Sequence, residues 1–280
     1  MSATTYVLRD LSDAVTVATT LTHSWFRGHT RTVNELVPKI FRESFLGTDV
    51  VEFRKEYELL KIEEFKRQAP VLSAHPVPSN DRRLEWLILM QHYGMPTRLL
   101  DWTENALVAL YFAVSGDIDE DGELWAMLPW ALNRESIGIW GLPVVQESAA
   151  TRYLVEQPYW NGESHELAKE LDLGNPIRSA CGIEPAMMFP RMAVQESTFT
   201  IHPSPQDAVS IQTVLGDPKH LVRYVVPAAS KHQLKMDLHH LGYCRRRLFP
   251  DLDGLSQTLN PGWFEIAYAP PDPPRCGGEA

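Results

Sequence analysis

An α/β or α+β fold is predicted by three features of this 280-residue chain. Some apolar segments are long enough for buried helices, and short Val-, Thr- and Phe-rich runs have strand length. Polar stretches bearing Gly, Pro and Asp alternate with both. SWFRGHT, residues 24–30, places Arg27 at what reads as a strand end. VVEFRKEYELLKIEEFK, residues 50–66, puts Phe53, Tyr57, Leu60 and Phe65 near one face of an amphipathic helix. APVLSAHPVPSND, residues 69–81, is read as a surface loop.

Two strongly apolar runs follow, LEWLILM at 84–90 and ALVALYFAV at 106–114, and both are expected to be buried. Between them QHYGMPTRLLDWT, residues 91–103, concentrates polar side chains in a loop clamped at both ends, a good platform for a site. Residues 115–123 have the Gly and Asp content of a turn, and LWAML at 124–128 reads as a strand. Residues 129–190 are irregular and are read as an insertion or lid. MAVQESTFTIH at 192–202 alternates as a strand does, and HLVRYVVP at 220–227 is a second candidate. A helix over 230–241 and a capped turn over 250–254 follow, and the Pro- and Gly-rich tail is expected to be disordered.

Composition excludes several classes. With 44% hydrophobic and 22% charged residues the chain resembles ordinary globular proteins, and it has neither a membrane-length apolar run nor a secretion-signal pattern. A cytoplasmic protein is expected. The net charge of −10 opposes nonspecific nucleic-acid binding, and Arg245, Arg246 and Arg247 are read as a solvated helix end. Cys181, Cys244 and Cys276 are odd in number and unpaired by spacing, so reduced thiols are expected. His232, His239 and His240 lack the spacing of a helical zinc pair, and no metal is predicted. Rossmann, phosphate-loop and nucleophile-elbow motifs do not occur.

Three places can carry chemistry. Arg27 beside Gly28 suits a bidentate clamp on phosphate or carboxylate, with the glycine admitting a ligand to the backbone; an internal salt bridge is equally compatible. In the 91–103 motif, Asp101 with Glu104 has capping-box spacing, Thr103 being the alternative cap. His92 and Tyr93 offer a proton acceptor and a hydroxyl, although a histidine at a helix end is more often structural. Arg98, expensive to bury alone, is expected to pair with Asp101 or another carboxylate. Further on, strand alternation would put Gln195 and Ser197 on one face and Glu196 on the other.

WFRGHT, QHYGMPTRLLDWTENALVALYFAV, QESTFTIH and LFPDLDGL together resemble the FRG domain family, named for the triplet that here is Phe26-Arg27-Gly28. The four motifs span about residues 20 to 260 in the family's order, with Ser197 where the family usually has glycine. The resemblance places the FRG domain at 21–262, after a lead-in of 1–20 and before a tail of 263–280. The pattern in turn is similar to that of ADP-ribosyltransferases. It implies a single α+β domain with a central mixed or split sheet flanked by helices, and NAD as substrate. In that scheme Arg27 and Gly28 would hold NAD phosphate or ribose, together with Tyr93 and Arg98. Asp101, Thr103 and Tyr111 would support the nicotinamide side, and Gln195, Glu196 and His92 would act at the ribose. A macromolecular acceptor, RNA or protein, a toxin or phage-defence role and an antitoxin partner are implied likewise. A noncatalytic nucleotide- or protein-binding module is the competing reading, with a hydrolytic site ranked below both.

Overall fold

The computed structural model describes residues 4–33, 36–42, 51–73, 76–116, 119–139, 144–145, 148–157, 163–203 and 209–259, without the side chains of 51–56 and 144–145. Phe53 and the C-terminal tail therefore lie outside the described part.

Eight strands form one mixed sheet. They are β1 Thr4–Val7, β2 Trp25–His29, β3 Leu99–Thr103, β4 Gly122–Met127, β5 Val144–Val145, β6 Cys181–Glu184, β7 Ser197–Ile201 and β8 Leu221–Val226. Their spatial order is β1-β8-β4-β2-β3-β7-β6-β5. The two outermost pairs are parallel and every inner pair is antiparallel. The helices that flank the sheet are α1 Leu11–Thr20, α2 Val51–Leu72, α3 Arg83–His92, α4 Ala106–Val114, α5 Pro129–Ile137 and α6 Ala149–Glu156. The rest are α7 Ser164–Glu170, α8 Pro190–Val194, α9 Ile211–Val214, α10 Ala228–His240, α11 Arg245–Leu248 and α12 Leu252–Thr258. The fold is α+β, and among the described residues no helix is long and apolar enough to cross a membrane.

The centre of the sheet is unevenly joined. β2 pairs with β4 along all five residues, but with β3 only where Phe26 meets Thr103. The two strands diverge beyond that point and leave backbone groups that a side chain or ligand must satisfy. Alternation sends neighbours to opposite faces. Trp25 packs with Leu100, Trp102 and Trp125 on one side, whereas Phe26 packs with α1, α4 and α10 residues such as Ala14, Ala109 and Leu234 on the other. Leu99, Phe199 and Ile201 join the α3 residues Leu87 and Leu89 in a third cluster.

Several expectations need correction. The 91–103 motif is not one loop: Gln91 and His92 finish α3, and residues 99–103 are β3, so only 93–98 turn the chain. α2 runs past residue 69 to Leu72, and its buried side carries Glu58, Ile62 and Ala69, while Leu60 is exposed. Glu58 is the reason: a buried carboxylate rotates the stripe away from the apolar positions, as shown below. Residues 192–194 belong to α8 and 195–196 to a turn, so the strand starts only at Ser197. The 129–190 stretch supplies β5 and β6 to one end of the sheet, and residues 4–7 of the lead-in form the strand at the other end.

Candidate functional site

A cleft of about 250 Å³ opens where β2 and β3 part, lined by Phe26, Arg27, Gly28, Asp101, Arg191 and Gln195 among others. Its apolar wall comes from Val108, Ala109 and Phe112 of α4, and a smaller recess of about 60 Å³ shares Gln91, Asp101, Arg191, Gln195 and Ser197 with it and reaches His92.

Arg27 sits at the gap. Its Nη1 donates to the Asp101 carbonyl at 2.5 Å, taking up a β3 backbone acceptor that β2 does not reach, and its Nε donates to His29 Nε2 at 2.8 Å. The Asp101 carboxylate is 3.6 Å from Nη1 and half-exposed, a loose ion pair rather than a closed fork. Burial lowers the Arg27 pKa, partly offset by Asp101. Arg27 thus has internal partners, and its Nη2 makes no hydrogen bond among the described residues.

Asp101 is held from the other side. Thr97 Oγ1 accepts from the Leu99 amide and donates to Gln91 Oε1 at 2.6 Å, so the Gln91 amide nitrogen faces Asp101 and donates to it at 2.9 Å. Neither Asp101 nor Thr103 caps α4. Asn105 does, its side-chain oxygen accepting from the Leu107 and Val108 amides. Thr103 instead donates to the Gln195 carbonyl at 2.6 Å and ties β3 to the turn before β7.

Two guanidiniums and one carboxylate line the cleft among the described residues. Asp101 acts on three guanidiniums, those of Arg27, Arg42 and Arg191, and raises the pKa of each against the lowering by burial. Arg191 additionally stacks 4.3 Å over the Phe249 ring. Arg27 and Arg191 line the cleft with one carboxylate, Asp101, while Glu123 also acts on Arg27 and Asp251 on Arg191; two guanidiniums at one opening suit a phosphate-bearing ligand.

The other expected residues divide. Gln195 lines the cleft, but its amide nitrogen donates to the Leu248 carbonyl at 2.8 Å. Glu196 turns away in a left-handed conformation, φ 47°, and accepts from Asn105 Nδ2 at 2.9 Å. Gln195 and Ser197 thus share the cleft without Glu196, one of the residues expected at the ribose, and a turn rather than strand alternation separates them. His92 stacks on Phe189 at 4.2 Å at the recess. Tyr93 faces a separate apolar groove with Tyr57 and Phe65. Tyr111 is buried in the α4 core, and its neighbour Phe112 lines the cleft along with Phe26 and Trp102. Arg98 is a correction: it is buried against Glu58, with Nε at 2.9 and 3.0 Å from the carboxylate oxygens, and it also donates to the Leu154 and His202 carbonyls. Gly28 is needed for another reason than ligand approach, since a Cβ there would lie 1.9 Å from the Ala109 carbonyl oxygen of α4.

His29, Gln91, Glu123 and Arg191 were not foreseen. Gln91 opens the polar 91–103 motif and His29 stands two residues from Arg27 on one strand, whereas Glu123 and Arg191 had no signal in the sequence. No cluster of His, Cys, Asp and Glu suited to a metal occurs among the described residues. Residues 22–122 match the family model described as the FRG domain. No curated protein and no solved structure matches the chain.

Proposed function

From the premise that this chain carries an FRG domain over residues 22–122, we propose that the β2–β3 cleft binds NAD and transfers its ADP-ribosyl group to a macromolecule, RNA or protein. The observation that carries this reading is the partly committed Arg27 guanidinium at a sheet gap, with Arg191 and, among the described residues, a single carboxylate, Asp101, lining the same cleft. Phosphates would be met by Arg27 and Arg191, and a flat ring by Phe112 and the α4 face.

Transfer breaks the C1′–N bond of the nicotinamide riboside. Nicotinamide leaves with the bonding electron pair, and an acceptor oxygen or nitrogen bonds to C1′ and gives up its proton. The ribosyl cation that develops needs a nearby negative charge, and Asp101 is the carboxylate that lines the cleft. Glu196, the acid expected on resemblance, is engaged with Asn105 instead. A toxin or phage-defence role, with an antitoxin partner, rests on the resemblance alone.

A noncatalytic nucleotide-binding module is the second reading, favoured by a glutamine at position 195 whose amide is already spent on Leu248. NAD labelled in the nicotinamide separates the two. Incubated with candidate RNA and protein acceptors, the wild type should release nicotinamide, and Asp101→Asn should stop release while retaining binding. Binding without release by the wild type selects the second reading.

A further inference from the structure

The Arg27 side chain ends a relay that crosses four adjacent strands. On β2, Arg27 and His29 share a face. Register places Glu123 of β4 directly opposite His29, and Arg223 of β8 opposite Trp125, diagonal to Glu123. Glu123 is fully buried, a costly position for a carboxylate unless donors surround it. It has three: His29 Nδ1 at 3.0 Å, the Val33 amide at 3.0 Å and Arg223 Nε at 2.8 Å. Burial pushes the carboxylate up, but the donor groups of His29, Trp125 and the Val33 amide together hold it below its usual pKa range.

Donor and acceptor roles then close on one assignment. Arg27 Nε is always a donor, so His29 Nε2, 2.8 Å away, must accept. A neutral imidazole accepting at Nε2 carries its proton on Nδ1, which faces the Glu123 oxygen. The same carboxylate therefore fixes the tautomer, and the tautomer fixes the plane of Arg27. With Nε bound to His29 and Nη1 to the Asp101 carbonyl, Nη2 is the guanidinium nitrogen left for a ligand.

We propose that His29 and Glu123 are positioning residues, which lock the Arg27 guanidinium edge-on to the cleft as a preset phosphate donor. Its ligand rests on the NAD reading above; the relay itself does not. Burial and the neighbouring Arg27 charge hold His29 neutral, its pKa lowered to about 4, so the lock persists at neutral pH.

Long-range ¹H–¹⁵N correlation spectra of the wild-type protein at neutral pH test the relay directly, with the His29 signals assigned by their loss in His29→Gln. The expected result is the neutral Nδ1–H tautomer, altered in Glu123→Gln. An Nε2–H tautomer or rapid exchange between both would overturn the relay. Titration with NAD and, separately, with inorganic pyrophosphate reads positioning. His29→Gln, which keeps an acceptor toward Arg27 and a donor toward Glu123, should bind within about threefold of wild type, and His29→Phe at least tenfold more weakly. Loss of thermal stability in His29→Phe with unchanged affinity would make the relay merely structural and overturn the proposal. If wild type binds pyrophosphate in this His29-dependent way but not NAD, the NAD reading fails and the positioning proposal stands; binding of neither probe overturns the phosphate lock.

Discussion

Removing the Arg98 guanidinium isolates a buried ion pair from any role at the cleft. Arg98 and Glu58 are each only 2% exposed, and their contact is a fork reinforced by the Leu154 and His202 carbonyls. Arg98→Met keeps a long apolar side chain but strands the Glu58 carboxylate without its cation. Breaking one partner of a buried pair costs about 3–5 kcal/mol. Against a typical total of roughly 5–15 kcal/mol this is a large share. At roughly 2–4 °C per kcal/mol for larger domains, Tm should fall by about 6–20 °C. Circular dichroism followed through heat and urea unfolding reads it. The double variant Arg98→Met with Glu58→Leu should regain at least half of the loss, because replacing both charges by apolar groups is often near neutral. A single variant within about 1 kcal/mol of wild type would refute the reasoning. Intact stability with lost ligand binding would return Arg98 to the cleft.

Gly28→Ala should cost about 3 kcal/mol or more, since its Cβ would meet helix backbone at 1.9 Å and overpacking already costs 1–3 kcal/mol where side chains can yield; an unchanged urea midpoint would show that α4 shifts freely. Asn105→Ala should lose about 1 kcal/mol by uncapping α4, measured the same way, with Asp101→Ala producing no comparable loss of cap. For pH, His29 and His202 have folded pKa values lowered to about 4 and about 3, by burial first and neighbouring arginines second. The unfolded chain then binds more protons below about 6.5, so the stability these groups contribute is complete above that pH and is lost as pH falls toward 4 and then 3. His29 alone accounts for on the order of 3 kcal/mol across its window, at about 1.4 kcal/mol per pH unit. Urea unfolding from pH 7.5 to 4.5 should show a shallower slope in His29→Gln than in wild type, and equal slopes would contradict the burial of a neutral imidazole.

Local pattern carried much of the fold. ALVALYFAV forms α4, LVRYVV forms β8, and Asp251 caps α12 as the turn-like PDLDG suggests. These elements depend on neighbours within a few residues. Glu196 escaped because its left-handed turn interrupts an alternating run, and side-chain period alone does not distinguish a strand from the turn that leads into it. Arg98 pairs with a carboxylate as its burial cost required, but the identity of the partner was not legible, because Glu58 lies 40 residues away on a helix whose buried side the charge pair itself resets. At the cleft, Arg27, Gly28, Asp101, Thr103 and Gln195 were legible as polar or small residues at element ends, whereas Arg191 and Glu123 enter through strand order and helix placement. No spacing in the chain encodes that β4 lies beside β2, and without it the Glu123–His29 contact has no sequence signature.

Isothermal calorimetry of NAD binding, comparing wild type with Arg27→Lys, tests the account most directly. Lysine keeps the charge but cannot donate at once to His29, the Asp101 carbonyl and a phosphate. The account predicts saturable binding by wild type that weakens with added salt, and a Kd raised at least tenfold, about 1.4 kcal/mol, in Arg27→Lys. No binding by wild type at millimolar NAD, or the same Kd in both proteins, would contradict it.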